Sequence, residues 1–171
     1  MEAELQERPI VPRQRDENNL SDDKGLRMRM RGEERRISSQ HKQLGDLFDR
    51  VLASMDGGGP RMAVNDFLLF STALEAHMAV EEDIYFPALH GLRDDVGDEL
   101  VELVSEHVRI RGGLSRVQKR LSGESRVDAQ QALDDLASLV GRHEKQEEDL
   151  LARISEGPDS SFGHSSLENE G

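Results

Sequence analysis

The chain has 171 residues, long enough for one domain around a single core. Its 22 basic and 35 acidic residues leave a net charge of −13, which argues against non-specific binding to nucleic acid or to an anionic membrane. Cysteine is absent, which excludes disulfides, iron–sulfur clusters, thiolate zinc sites and cysteine nucleophiles, and leaves His, Asp and Glu as metal ligands.

Tryptophan is also absent and there is one tyrosine, so the core must be mostly aliphatic. No stretch is apolar over the ~20 residues that a membrane span needs. The first residues, MEAELQERPIVPRQRDENN, contain no apolar run of the kind a secretory signal carries. The expectation is a cytoplasmic protein without membrane or nucleic-acid partners.

Taken in chain order, residues 1–32 carry seven basic and seven acidic residues, with Pro9, Pro12, Gly25 and Gly32, and show no sustained periodicity. They read as a flexible arm. Residues 33–156 carry 15 basic and 25 acidic residues and are helical in pattern throughout. Four apolar stripes alternate three- and four-residue spacing. The first is Ile37, His41, Leu44, Phe48, Val51 and Met55. The second is Phe67, Phe70, Leu74, His77, Glu81 and Ile84. The third is Leu100, Leu103, His107, Ile110, Leu114, Val117 and Leu121. The fourth is Leu133, Leu136, Val140, His143, Glu147, Leu150 and Ile154. Breakers separate them at Asp56–Pro60, His90–Asp95 and Ser122–Ser125. Pro87 is expected to bend or end the second helix. Short connections imply antiparallel neighbours, hence an all-α, up-down-up-down antiparallel four-helix bundle. Residues 157–171 read as a flexible tail.

Each stripe holds a histidine where an aliphatic residue belongs, and two stripes add a glutamate one turn later. A buried carboxylate is costly unless it is paired, protonated or bound to a cation. His41 and His77 are equidistant from the first connection, and His107 and His143 from the third. All four therefore fall in one layer, with Glu81 and Glu147 in or beside it. The pattern repeats: His41 precedes His77-x-x-x-Glu81 by 36 residues, and His107 precedes His143-x-x-x-Glu147 by 36. Imidazole and carboxylate one turn apart converge on one ion. Two hairpins would then hold two metals, each with two histidines, with both glutamates able to bridge. Without sulfur, the ligand set points to iron or manganese rather than structural zinc.

His41, then H77-M-A-V-E81-E82-D-I-Y-F86-P87, then E106-H107, then H143-E-K-Q-E147-E148, resemble the hemerythrin family, specifically its bacterial hemerythrin-like (HHE cation-binding) branch. The resemblance covers residues 34–155. It implies a non-haem di-iron centre, with metal ligands His41, His77, Glu81, His107, His143 and Glu147, that meets O2, peroxide or nitric oxide. Oxygen-carrying hemerythrins have a His-x-x-x-His pair on the third helix, whereas only His107 stands here. Stripe geometry puts the lost ligand at Leu103, and comparison with His-x-x-x-Arg relatives puts it at Arg111. One ligand is missing either way, which opens a coordination position and counts against simple oxygen carriage.

Other residues read more plainly. His90 belongs to a loop and His164 to the tail, both solvated. Glu82, Glu144 and Glu148 read as surface charges, with Glu148 the alternative to Glu147 as ligand. Tyr85 lies one turn beyond Glu81, either beside the site or simply buried. Arg27–Arg31 with Arg35 and Arg36 is the one basic cluster. Phe162–Leu167 faintly resembles peptides that load cargo into encapsulin shells, making such a shell a candidate partner, and a homo-oligomer is a further one. Three functions compete. The first is a redox, stress-response or sensing protein, which could include weak peroxidase- or catalase-like activity. The second is a non-catalytic oxygen-binding or iron-storage protein. The third is a purely structural bundle.

Overall fold

The structure is a computed structural model that describes residues 18–58 and 60–156. It is helical, with α1 over Asn18–Ala53, a π-helical turn over Ser54–Gly58, α2 over Pro60–Val80, a second π-helical turn over Glu81–Tyr85, α3 over Phe86–Leu92, a 3-10 turn over Asp94–Val96, α4 over Gly97–Leu121 and α5 over Arg126–Glu156. No strand occurs among the described residues, and no described helix is long and apolar enough to cross a membrane.

Helix α1 packs on α2 and α5, and α4 packs on α2 and α5, which closes a four-helix bundle. Contacts on neighbouring helices run in opposite order. Along α1, Gln40 meets His77, and Arg50 and Ser54 meet Asp66. Between α4 and α5, Glu99 meets Arg153, His107 meets His143 and Arg120 meets Asp128. Local chemistry sets the ends. Asp98 and Glu99 lie at the positive N-terminus of α4, and Lys119 and Arg120 at its negative C-terminus. Ser125 accepts a hydrogen bond from the Asp128 backbone N–H at 3.2 Å and caps α5.

Three expectations change. Helix α1 begins at Asn18, inside the segment read as an arm, so residues 18–32 belong to the helix. Once Ile37 and the stripe beyond it are packed, extending the helix costs no new nucleus, and Leu, Met, Arg and Lys propagate it well. The basic cluster therefore lies along α1. Residues 1–17 and 157–171, with the candidate encapsulin peptide and His164, lie outside the described residues. Pro87, expected to bend or end the second helix, stands in the first turn of α3, beyond the π-helical turn that follows α2. The Phe86 N–H donates to the Glu81 carbonyl five residues back, and this wider register accommodates the proline, which has no N–H to give. The same extra residue rotates the face, so Tyr85 is buried and Ile84, expected in the stripe, is 58% exposed. His90 lies on α3 and not in a loop, though exposed.

The core is divided. One apolar cluster, from Leu44 through Phe67, Phe70, Leu133 and Leu136 to Val140, fills the end near the α1–α2 and α4–α5 connections. A second, with Ile37, Tyr85, Phe86, Leu89, Leu100, Leu103, Leu150 and Ile154, fills the other end. His41, His77, Glu81, His107, His143 and Glu147 are buried at the heights between them.

Helices α4 and α5 approach most closely at Gly113, where an added Cβ would lie 3.0 Å from Leu136 Cδ1 and 3.4 Å from Leu139 Cδ1. Leu136 is fully buried and has nowhere to move. Gly113→Val should therefore cost about 1–3 kcal/mol in urea unfolding. Gly112→Ala, whose Cβ meets nothing, should stabilise by about 0.5–1 kcal/mol.

Candidate metal centre

The six buried residues form two overlapping groups. His41, His77, Glu81 and Glu147 offer ligand atoms within 4.8 Å of one another, and so do Glu81, His107 and His143. Either group could hold a metal ion. Glu81 belongs to both, and its two oxygens divide the work. Oε1 lies 2.7 Å from His77 Nε2, and Oε2 lies 3.1 Å from His107 Nε2 and 3.8 Å from His143 Nε2. Glu147 Oε2 lies 3.3 Å from His41 Nε2. Glu147 belongs to the first group alone, whereas the sequence reading had it bridging alongside Glu81.

The ring protons follow from the outer contacts. His41 Nδ1 faces Glu148 Oε1 at 3.0 Å, and His77 Nδ1 faces Gln40 Oε1 at 3.2 Å. His107 Nδ1 faces Glu82 Oε1 at 2.7 Å, and His143 Nδ1 faces Glu106 Oε2 at 3.3 Å. An acceptor at every Nδ1 assigns the proton there in neutral imidazole, and turns each Nε2 lone pair inward. His107 Nε2 and His143 Nε2 then face each other at 3.0 Å, lone pair to lone pair. The Nε2 atoms of His41 and His77, and both oxygens of Glu81 and of Glu147, are buried without a hydrogen bond. Such a convergence of unpaired donor atoms is costly for the chain alone and fits a bound cation.

Charge on the groups follows their surroundings. Burial alone would raise the Glu81 carboxyl, but the imidazoles of His107, His143 and His77 hold it well below the usual carboxylate range. Burial pushes Glu147 up, against the pull of His41. Arg111 holds Glu82 down, helped by His107. Burial raises Glu144, which is half-buried near His41 and His77 and not a surface charge. Tyr85 is raised by burial and by Glu33. Its hydroxyl is buried without a hydrogen bond, and Arg36 lies 5.7 Å over its ring.

Glu82 and Glu148, which read from sequence as surface charges, instead face the Nδ1 atoms of His107 and His41, while Glu147 stands in the first group itself. Neither candidate for the lost histidine joins the cluster. Leu103 is buried in the second apolar cluster. Arg111 is turned to Glu75, 3.0 Å from Nε, and to Glu82, 2.8 Å from Nη1. Gln40 and Glu106 were missed as orienting residues. Their signal lies in a repeat. Gln40, His41, His77, Glu81 and Glu82 correspond, 66 positions on, to Glu106, His107, His143, Glu147 and Glu148. Each orienting acceptor is the chain neighbour of a buried site residue but serves a histidine on another helix. Gln146, with its amide nitrogen turned to Glu106, donates to both Glu106 oxygens at 2.7 Å.

The family model described as the hemerythrin HHE cation binding domain matches residues 33–154. No curated protein and no solved structure matches the chain.

Glu82→Ala leaves His107 Nδ1 without its acceptor and should weaken metal binding about 10–100-fold, measured by competition with a chelator. In the metal-free chain, burial would lower His41, but Glu147 and Glu148 outweigh it and raise its pKa from 6.5 to about 9. The charged form therefore contributes stability that is fully present below 6.5 and is lost as pH rises to about 9. Melting of metal-free protein should fall across that window, less so in His41→Gln, while metal affinity rises because the cation displaces the proton.

Proposed function

Because the chain belongs to the hemerythrin HHE cation-binding domain family, we propose that its buried His–Glu layer holds a non-haem di-iron centre that binds or reacts with O2, peroxide or nitric oxide in redox, stress-response or sensing chemistry. The observation that carries this reading is the set of inward lone pairs, four Nε2 atoms and two carboxylates, buried without protons to share. Imidazole and carboxylate without sulfur suit iron or manganese over structural zinc. His41, His77, Glu81 and Glu147 would hold one ion, and Glu81, His107 and His143 the other. When bound, the pair supplies redox and Lewis-acid chemistry.

The chain's own residues do the rest. Gln40, Glu82, Glu106 and Glu148 keep the protons at Nδ1, so that every Nε2 stays a lone-pair donor. Glu81, drawn well below the usual range, stays ionised and shared. Phe86 stacks on the His107 ring, centroids 5.7 Å apart, and steadies it. The apolar clusters on either side keep water from the layer. With three protein ligands against four, the second group is where a small exogenous ligand would enter. That asymmetry supports reaction or sensing, including weak peroxidase- or catalase-like turnover, over reversible oxygen carriage or iron storage. The reading takes the bundle as up-down-up-down, which the opposed contact order supports, and the protein as cytoplasmic with small molecules as ligands.

Anaerobic ferrous reconstitution, with iron counted and the spectrum followed as air enters, tests the proposal. One iron should bind for each of the two groups. His107→Ala or His143→Ala should lower iron sharply, while His90→Ala should not. Equal loss at His90 would sink the site, and a stable, reversible oxy spectrum would make the protein a carrier.

A further inference from the structure

Outside the metal layer, the apolar residues left in solvent are unevenly distributed. Met62, Leu68 and Leu69 on α2, Ile84 just beyond it, and Val101, Val104 and Val108 on α4 are all exposed. Helices α2 and α4, which carry all of these but Ile84, are neighbours in the bundle. Beyond Val127 in its first turn, the outer face of α5 is polar, with Asp134, Asp135, Arg142, Lys145 and Asp149 exposed.

Helix α2 carries little charge for an outer helix. Between Met62 and Val80 the sequence holds two charged side chains, Asp66 and Glu75. Both are taken, Asp66 by Arg50 and Glu75 by Arg111. The inner seam of α2 is Ala63, Phe67, Phe70, Leu74 and His77. A second seam runs along the outside at coiled-coil spacing: Met62, Asn65, Leu69, Thr72, Ala76 and Ala79, every one exposed. A seam without a charged side chain, with Met62 and Leu69 left in solvent, is one that something covers.

We propose that a second copy of this chain covers it, with the two α2 helices packed antiparallel about a two-fold axis. Size complementarity selects that arrangement. A two-fold centred between Leu69 and Thr72 sets the long Met62 against the small Ala79, and Asn65 against Ala76, so large side chains meet small ones along the seam. A parallel pairing would set Met62 on Met62. Charge selects it too. The seam has the exposed base Arg61 at one end and the exposed acid Asp83 at the other, and neither has an ion-pair partner among the described residues. Antiparallel packing about that axis sets Arg61 of each copy level with Val80 of the partner copy, within one helical turn of the partner's Asp83. The face is large enough. Helix α2 has 21 residues and is about 30 Å long, and with α4 beside it, each about 10 Å wide, it offers roughly 600 Å² in projection. That approaches the ~800 Å² of accessible surface per partner in a stable interface. The Val101, Val104 and Val108 stripe flanks the seam and is covered with it.

Sedimentation velocity on the full chain is the test. The wild type should sediment as a dimer of the 19.2 kDa chain at micromolar concentration. Leu69 is 53% exposed, so Leu69→Glu leaves the monomer fold and its circular dichroism intact. It should raise the dimer dissociation constant about 30-fold or more. Arg61→Asp should weaken the dimer, and adding Asp83→Arg should restore it. A monomeric wild type would overturn the proposal and leave the face to another protein or a lipid surface. A dimer indifferent to Leu69→Glu, or a charge swap that does not rescue, would overturn it as well.

Discussion

Six buried polar side chains point their unshared electron pairs at one another, and the rest of the molecule is arranged around that conflict. Water cannot relieve it, because apolar clusters fill the bundle above and below the layer. With the imidazoles neutral, the chain's own protons do not relieve it either. Each imidazole proton is drawn outward to Gln40, Glu82, Glu106 or Glu148. A layer of this kind is stable only with positive charge at its centre, from protons or from metal ions. The raised pKa of His41 is the proton version of that compensation.

The layer is built twice and then made unequal. A shift of 66 positions carries each buried site residue and each orienting residue of the first hairpin onto its counterpart in the second. The two halves interlock, since Glu148 serves His41 and Glu82 serves His107 across the hairpins. Two departures break the equivalence. Glu81 touches both groups while Glu147 touches one. Arg111, four residues after His107, clamps Glu82, whereas the corresponding position four residues after His41 is Gly45, which can clamp nothing. The second group is left with fewer candidate ligands but with a more firmly held histidine.

The π-helical turn at Glu81–Tyr85 links the site to the fold. It begins at the one carboxylate shared by both groups and absorbs the strain of Pro87. It also turns Tyr85 inward and Ile84 outward, closing the second apolar cluster while adding to the exposed apolar side. A single inserted residue thus affects the site, the core and the surface together.

The helices and the polar layer were legible in the sequence because both follow from spacing. Three of the four stripes, including Leu100–Leu121 and Leu133–Ile154, face inward as their period requires, and the histidines within them could only be buried. The second stripe departs at Ile84, where the period changes, and no periodic template anticipates a π turn. Composition excluded sulfur ligands outright. What the sequence could not decide is which neighbour a side chain at the edge of a stripe will meet. Glu82, Glu106 and Glu148 lie beside the stripes, and their partners sit on other helices, at distances set by how the helices rotate and approach. The same holds for Glu147 against Glu148, and for Arg111, whose guanidinium could have faced the layer but found Glu75 and Glu82 first. Periodicity specifies the face of a helix. Rotation within that face, worth an ångström or two at the side-chain tip, belongs to tertiary packing, and it separates a ligand from the residue that orients one.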